Sequence, residues 1–363
     1  MPKTLRVVES DPRWPSFFDA EAARIRAVCQ DPNLVIEHVG STAVPGLPAK
    51  PIVDMALFVP TFEAGEAYID PIRSLGYDYH GVAGVPGRRY FDLPNPVAGE
   101  LDLFHLHMYP AGHADAARLL AFRDHLRTHP AEREAYAALK RDLVARYPSD
   151  ILLYIGGKTA FIRRAYRAIA GLPPAPAEVV PYSAEWPLEF EREAARLREA
   201  VGESAIGIEH VGSTAVPGLS AKPIIDMMLA VEDFDAARPL VHRIEELGYW
   251  YCGENGIPRR HYFIKEDDAG NVTHHLHTLE DASLEARKHR LFRDHLRAHP
   301  ADRDAYGELK LRLAAAHGQD RAAYQEGKTA LIERILRDAG WEGEVPSAER
   351  DRGSRRNAGG FLA

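Results

Sequence analysis

Residues 36–55 read IEHVGSTAVPGLPAKPIVDM, and residues 208–227 read IEHVGSTAVPGLSAKPIIDM. Only Pro48 against Ser220 and Val53 against Ile225 differ. Near-identity over such a stretch inside one chain marks a duplication, and it extends outward on both sides. Trp14-Pro15 returns as Trp186-Pro187, AFRDHLRTHP (121–130) as LFRDHLRAHP (291–300), and GGKTAFI (156–162) as EGKTALI (326–332). The displacement falls from 172 residues, His38 to His210, to 170, His125 to His295, so the second copy carries small deletions in its middle. A period this long makes each copy a whole domain. We expect a first domain over 1–170, a proline-rich linker GLPPAPAEVVP over 171–181, a second domain over 182–340, and a polar tail over 341–363, the tail disordered.

Composition agrees with two domains. The chain has 363 residues, and 45% of them are hydrophobic, enough for a core in each half. The net charge of -8 argues against non-specific nucleic-acid binding, which needs a broad positive field, but leaves room for a local basic pocket. Cys29 and Cys252 do not occupy equivalent places and have no metal-type spacing. No disulfide framework is expected, and a reducing cytoplasm is the default. No apolar run reaches the roughly 18 residues of a membrane span.

Within one copy, apolar spacing predicts a helix over 14–29, strands over 34–39 and 52–59, and a helix over 62–75. Short strands near 77–82 and 88–93 follow, then a longer one over 100–109 and helices over 113–128, 131–146 and 150–169. The expected class is α+β: a mixed sheet of about five strands per copy, flanked by helices.

The loop between the first two strands carries the candidate chemistry. Gly40-Ser41-Thr42 and Gly212-Ser213-Thr214 form a turn rich in N–H groups, suited to phosphate oxygens, although a turn can also merely redirect the chain. Lys50 and Lys222 follow it and are placed to neutralise an anion. Asp54 and Asp226 interrupt an apolar strand, so each must cap backbone groups, pair with a base or bind a metal. His105 and His107, with His275 and His277 in the second copy, alternate along a strand and share a face, a spacing suited to a divalent metal or a phosphate. Arg88-Arg89 and Arg259-Arg260 offer guanidinium forks for phosphate. Lys158 and Lys328 stand four residues after Tyr154 and Tyr324 on a helix, where ordinary packing is an equal alternative. Arg123, Asp124, Arg293 and Asp294 read as structural.

The run Glu37–Asp54, the His-Leu-His strand and the Lys-Thr-Ala-Phe-Ile helix closely resemble the GrpB-like family, over about residues 5–170 and 178–338. The resemblance implies two tandem nucleotidyltransferase-like domains related to the DNA polymerase beta superfamily. It also implies a Gly-Ser turn that holds nucleotide phosphates and strand carboxylates that bind Mg²⁺ or Mn²⁺. Gly40-Ser41 and Gly212-Ser213 match the turn, and Asp54 and Asp226 match one carboxylate. The second carboxylate of that pattern is replaced by Ala56 and Met228, so either His105, His107, His275 and His277 substitute as ligands, or each site holds one metal, or none. The family also occurs fused to dephospho-coenzyme A kinase, which makes coenzyme A precursors candidate ligands.

Three readings follow. The first is a metal-dependent nucleotidyltransferase acting on a small-molecule acceptor, with Asp54, Asp226, Lys50 and Lys222 at the chemistry. The second is a non-catalytic nucleotide- or coenzyme A-binding regulatory module. The third is a scaffold in which the two copies form an intramolecular pseudo-dimer, which can coexist with either.

Overall fold

A computed structural model describes residues 4–97, 99–172, 178–317 and 320–343. Residues 173–177 of the expected linker and the tail from 344 onward lie outside the described residues. The chain divides between Leu172 and Pro173 into two compact units.

The first unit runs α1 (Trp14–Val28), β1 (Val35–Val39), β2 (Val53–Val59), α2 (Ile69–Ser74), β3 (Asp78–Tyr79), β4 (Arg89–Leu93), β5 (Phe104–Pro110), α3 (Ala114–Thr128), α4 (Pro130–Arg146) and α5 (Ile151–Ile169). The second repeats it as α6 (Glu185–Val201), β6 (Gly207–Val211), β7 (Ile225–Val231), α7 (Leu240–Glu245), β8 (Tyr249–Tyr251), β9 (His261–Glu266), β10 (Val272–Glu280), α8 (Leu284–Ala298), α9 (Pro300–His317) and α10 (Arg321–Asp338). Each unit is a five-stranded mixed sheet with helices around it, in the orders β1-β2-β5-β4-β3 and β6-β7-β10-β9-β8. Among the described residues only β2 with β5 and β7 with β10 run parallel.

Sequence chemistry sets the element ends. Proline opens α1 and α4, where a missing N–H costs nothing. Asp150 caps α5 by accepting from the Leu153 N–H, and Asp320 does the same for α10 with Ala322 and Ala323. The helix expected over 62–75 is instead a 3-10 turn, 64–68, followed by α2, and the strand expected from 100 starts at Phe104.

Alternation along β2 and β5 separates two faces. Met55, Leu57, Leu106 and Met108, each at most 1% exposed, pack with Ala22 and Ile25 of α1 and Ile72 of α2. Burial of one such side chain stabilises by about 1.5–3 kcal/mol, so this face anchors the sheet. The other face carries Asp54, Ala56, His105 and His107. Part of it is covered by α3, whose Ala116, Leu119 and Leu120 pack with Val39, Ala56 and Tyr109.

Candidate functional site

Strand register builds the centre of each site. Asp54 lies opposite Val39 on one side and His105 on the other, and Ala56 lies opposite His107. Asp226 stands likewise between Val211 and His275. Of the three roles open to these aspartates, pairing with a base is the one observed: His105 Nδ1 is 3.2 Å from Asp54, and His275 Nδ1 is 2.9 Å from Asp226. His105 Nε2 also lies 3.5 Å from Asp102. Burial alone would raise the Asp54 carboxyl, but the His105 hydrogen bond and the charges of His105, His107 and Lys50 hold it below its ordinary value. Burial would lower His105, yet hydrogen bonds to Asp102 and Asp54 leave it raised.

The Gly-Ser turn is fixed against this carboxylate. Gly40 has φ +70°, and a Cβ there would lie 2.3 Å from Asp54 Oδ2; Gly212 has φ +68° and the same 2.3 Å approach to Asp226. Only glycine satisfies both the left-handed backbone and the close contact. Arg127 and Arg297 brace the turn through the Ala43 and Ala215 carbonyls, while Arg123 and Arg293 hold the His38 and His210 carbonyls. Thr42 pairs with His38 Nε2 at 3.0 Å, and Thr214 pairs with His210 Nε2 and donates to the Ile224 carbonyl. These threonine hydroxyls therefore serve the loop itself.

Lysines of the loop and of the last two helices of each unit gather with helix tyrosines at the turn. Lys50 Nζ lies 5.4 Å and Lys158 Nζ 4.8 Å from the Tyr154 ring centre. Lys222 and Lys328 lie 4.5 and 4.9 Å from that of Tyr324. Sequence reasoning missed a third pair, Tyr136 with Lys140 at 4.8 Å and Tyr306 with Lys310 at 4.7 Å. Its signal was available as AYAALK (135–140) against AYGELK (305–310), the same Tyr-to-Lys step of four on a helix. The Tyr136 and Tyr306 hydroxyls face Ser41 and Ser213. In the second unit, Ser213, Thr214, Lys222, Asp226, Lys310 and Tyr324 line one small pocket. Burial, then the neighbouring lysine charge, lowers Lys140 and Lys158 to about 7 each, and the same causes lower Lys310 well below its ordinary value.

Other predicted residues lie elsewhere. Adjacent strand residues point to opposite faces, so an Arg-Arg pair cannot supply two forks to one site. Arg89 turns to the core face and binds Glu66, the Phe62 carbonyl and the Tyr79 hydroxyl. Arg259 occupies the place of Gly87, with φ +57°, and is exposed and paired with Glu280. The true equivalents are Arg88 and Arg260, which bind the carbonyls of Ala83 and Asn255 and donate to Nδ1 of His107 and His277 at 3.3 and 3.1 Å. His107 is lowered to about 3 by burial and the Arg88 charge, and His277 falls well below its ordinary value.

These donors do not fit a two-metal centre. One carboxylate per unit is already hydrogen-bonded to an imidazole, the second carboxylate position is apolar, and His107 and His277 each accept from a guanidinium. Among the described residues no three His, Cys, Asp or Glu converge to hold a metal ion. No helix there is long and apolar enough to cross a membrane.

Fold and site thus define a protein of two tandem α+β domains, each with lysines and tyrosines gathered at a Gly-Ser turn. A profile of the GrpB protein matches residues 4–168 and again 176–338, and the chain belongs to the GrpB family. It is 44% identical over 161 residues to the UPF0157 protein PA4798 of Pseudomonas aeruginosa, covering 44% of this chain and 66% of that protein. It is 30% identical over 186 residues to the dephospho-CoA kinase of Mycolicibacterium paratuberculosis, covering 45% of each. The chain therefore spans just under two thirds of the first relative and under half of the second. The solved structure of conserved protein GrpB from Enterococcus faecalis is 39% identical, with a TM-score of 0.42, over 45% of this chain and 96% of that one.

Proposed function

We propose that each copy binds the phosphate groups of a nucleotide- or coenzyme A-class small molecule. The observation that carries this reading is the convergence, in both copies, of three lysines on a glycine-serine turn. Three lysine amines surround one carboxylate in a desolvated place that lowers their proton affinity, and a phosphate is the partner that suits them, because its charge restores their protonation and its oxygens accept their N–H groups. The turn adds backbone N–H donors, and the tyrosine rings supply apolar walls. The relative named as dephospho-CoA kinase makes coenzyme A precursors reasonable members of this class.

A second reading, nucleotidyl transfer, is favoured by one feature. The Asp226–His275 pair lies against the turn that would hold the phosphates, where an imidazole backed by one carboxylate can take a proton from an acceptor hydroxyl. In the first unit His105 has a carboxylate at each ring nitrogen, which suits it to hold a proton rather than to take one.

Calorimetric titration of the full chain with ATP, GTP, CTP, UTP and coenzyme A tests both. Saturable binding of at least one, weakened by added salt, is the expected result. Absence of binding by all five would overturn the phosphate reading. Release of pyrophosphate from a bound triphosphate, lost in Asp54→Asn/Asp226→Asn, would favour transfer over binding alone.

A further inference from the structure

In the second unit Lys222 and Lys310 line one pocket with Ser213 and a single strand carboxylate, Asp226. We propose that these lysines supply the charge a divalent cation would otherwise bring, so that this pocket receives the terminal phosphate of a diphosphate or triphosphate free of metal, with Lys310 as the deepest contact. The proposal rests on the phosphate-binding reading above and specifies how the charge is met.

Lys310 is 2% exposed, and among the described residues its Nζ makes no hydrogen bond. Its close neighbour is the Tyr306 ring, which offers a cation–π contact but no lone pair for the ammonium's three N–H groups. It lines the same pocket as Ser213, Lys222 and Asp226. A buried donor without an acceptor costs free energy, and a terminal phosphate oxygen reaching into this small pocket removes that cost. In the first unit Lys140 donates to the Pro48 carbonyl, so its demand is already partly met.

The surroundings disfavour a divalent ion. It would have to approach Asp226 among Lys222, Lys310 and Lys328, with Met228 fully buried where a second carboxylate would be needed. Like charges a few ångströms apart in a desolvated pocket repel strongly. Lys310 of α9, Lys328 of α10 and Lys222 of the loop before β7 supply the positive charge that a polyphosphate requires once its anion enters and favours their protonation.

The test is a titration of the full chain with inorganic pyrophosphate, once in EDTA and once in Mg²⁺. The expected result is affinity in EDTA equal to or tighter than in Mg²⁺, because Mg²⁺ competes for the probe. Lys310→Met, which keeps the side-chain volume, should weaken binding to the second unit by about tenfold or more. Lys222→Met, at the pocket mouth, gives an independent reading if Lys310→Met does not fold. Binding that requires Mg²⁺ would overturn this inference and leave the phosphate reading standing. Absence of binding in both conditions would overturn both. Wild-type affinity in folded Lys310→Met would overturn the assignment of that residue.

Discussion

The two copies carry the same central residues but hold them differently. In the first unit the Asp54 and His105 side chains keep 28% and 17% exposure and stand 3.2 Å apart. In the second, Asp226 and His275 are each 5% exposed and 2.9 Å apart. Lys328 and Ser213 are buried, whereas Lys158 and Ser41 are only half-buried. The block over 36–55 is almost the same as that over 208–227, so the block does not cause this. The cause lies in neighbours that changed: Asp102 is Val272 in the second copy, Tyr109 is Leu279, and Leu119 is His289, a buried ring 4.8 Å from His277. A motif fixes which groups meet, and its surroundings decide how dry the meeting is. One copy is thereby more accessible to solvent, and the other more strongly desolvated.

The sharpest way to break this comparison is at the paired glycines. Gly212→Ala adds a Cβ 2.3 Å from Asp226 Oδ2 and 2.8 Å from its Cβ, at a positive φ. We expect about 3 kcal/mol or more of destabilisation in the second unit, read by denaturant unfolding. Gly40→Ala meets Asp54 at the same distance, but that carboxylate has room to turn toward solvent, so its cost should be smaller. Equal costs would mean that the two aspartates are equally confined. Next in size are the aspartates themselves. Asp226→Asn removes a charge-assisted bond from a dry imidazole and should cost about 2 kcal/mol, whereas Asp54→Asn, in a wetter place, should cost about 1 or less.

Much of this was legible before the coordinates. Duplication, the α+β class, five strands per unit and the pairing of loop with strand all follow from long local patterns, and the structure agrees. The site was legible where strand periodicity governs: Asp54 beside His105 comes from two adjacent strands whose residues point the same way. It failed where the repeat was aligned on a dipeptide. Matching Arg88-Arg89 to Arg259-Arg260 shifted the register by one and placed two arginines in the site that belong to the core face and the surface. It failed again for Lys140 and Lys310. A lysine on a helix reads as solvated, and only the packing of α4 and α9 over the turn shows that these two are buried. The expectation of histidine metal ligands met a different obstacle, because nothing in the His-Leu-His pattern reveals that a guanidinium donates to the second imidazole.

A smaller effect separates the lysines by pH. Lys140 and Lys158 have folded values of about 7, below the ordinary 10.5. Above pH 7 the folded first unit therefore binds fewer protons than the unfolded chain, and its stability rises with pH. Between pH 7 and about 8.5 the contribution of each lysine approaches about 1 kcal/mol per pH unit. His105, raised from 6.5, opposes this as it loses its proton. Cys29, pushed up to about 11, opposes it only above about pH 9. The difference between wild type and Lys158→Met cancels both. Hydrogen exchange of β2 peptides in phosphate-free buffer should show a shallower rise in the variant, and parallel slopes would mean that Lys158 is solvated.

The smallest expected effect tests why the first site differs at all. His105 is held between two carboxylates, Asp54 at 3.2 Å and Asp102 at 3.5 Å, while His275 has Val272 where the second would stand. Replacing Asp102 with the second copy's residue, Asp102→Val, removes the first-named hydrogen bond that raises the His105 value. The imidazole should then titrate at lower pH, because one of the two carboxylates that raise it is gone while Asp54 remains. The movement can be followed by NMR of the imidazole protons in the full chain. A downward movement would show that Asp102 contributes to the proton affinity of the pair. An unmoved His105 in Asp102→Val would assign that affinity to Asp54 alone and leave the depth of burial as the difference between the two pockets.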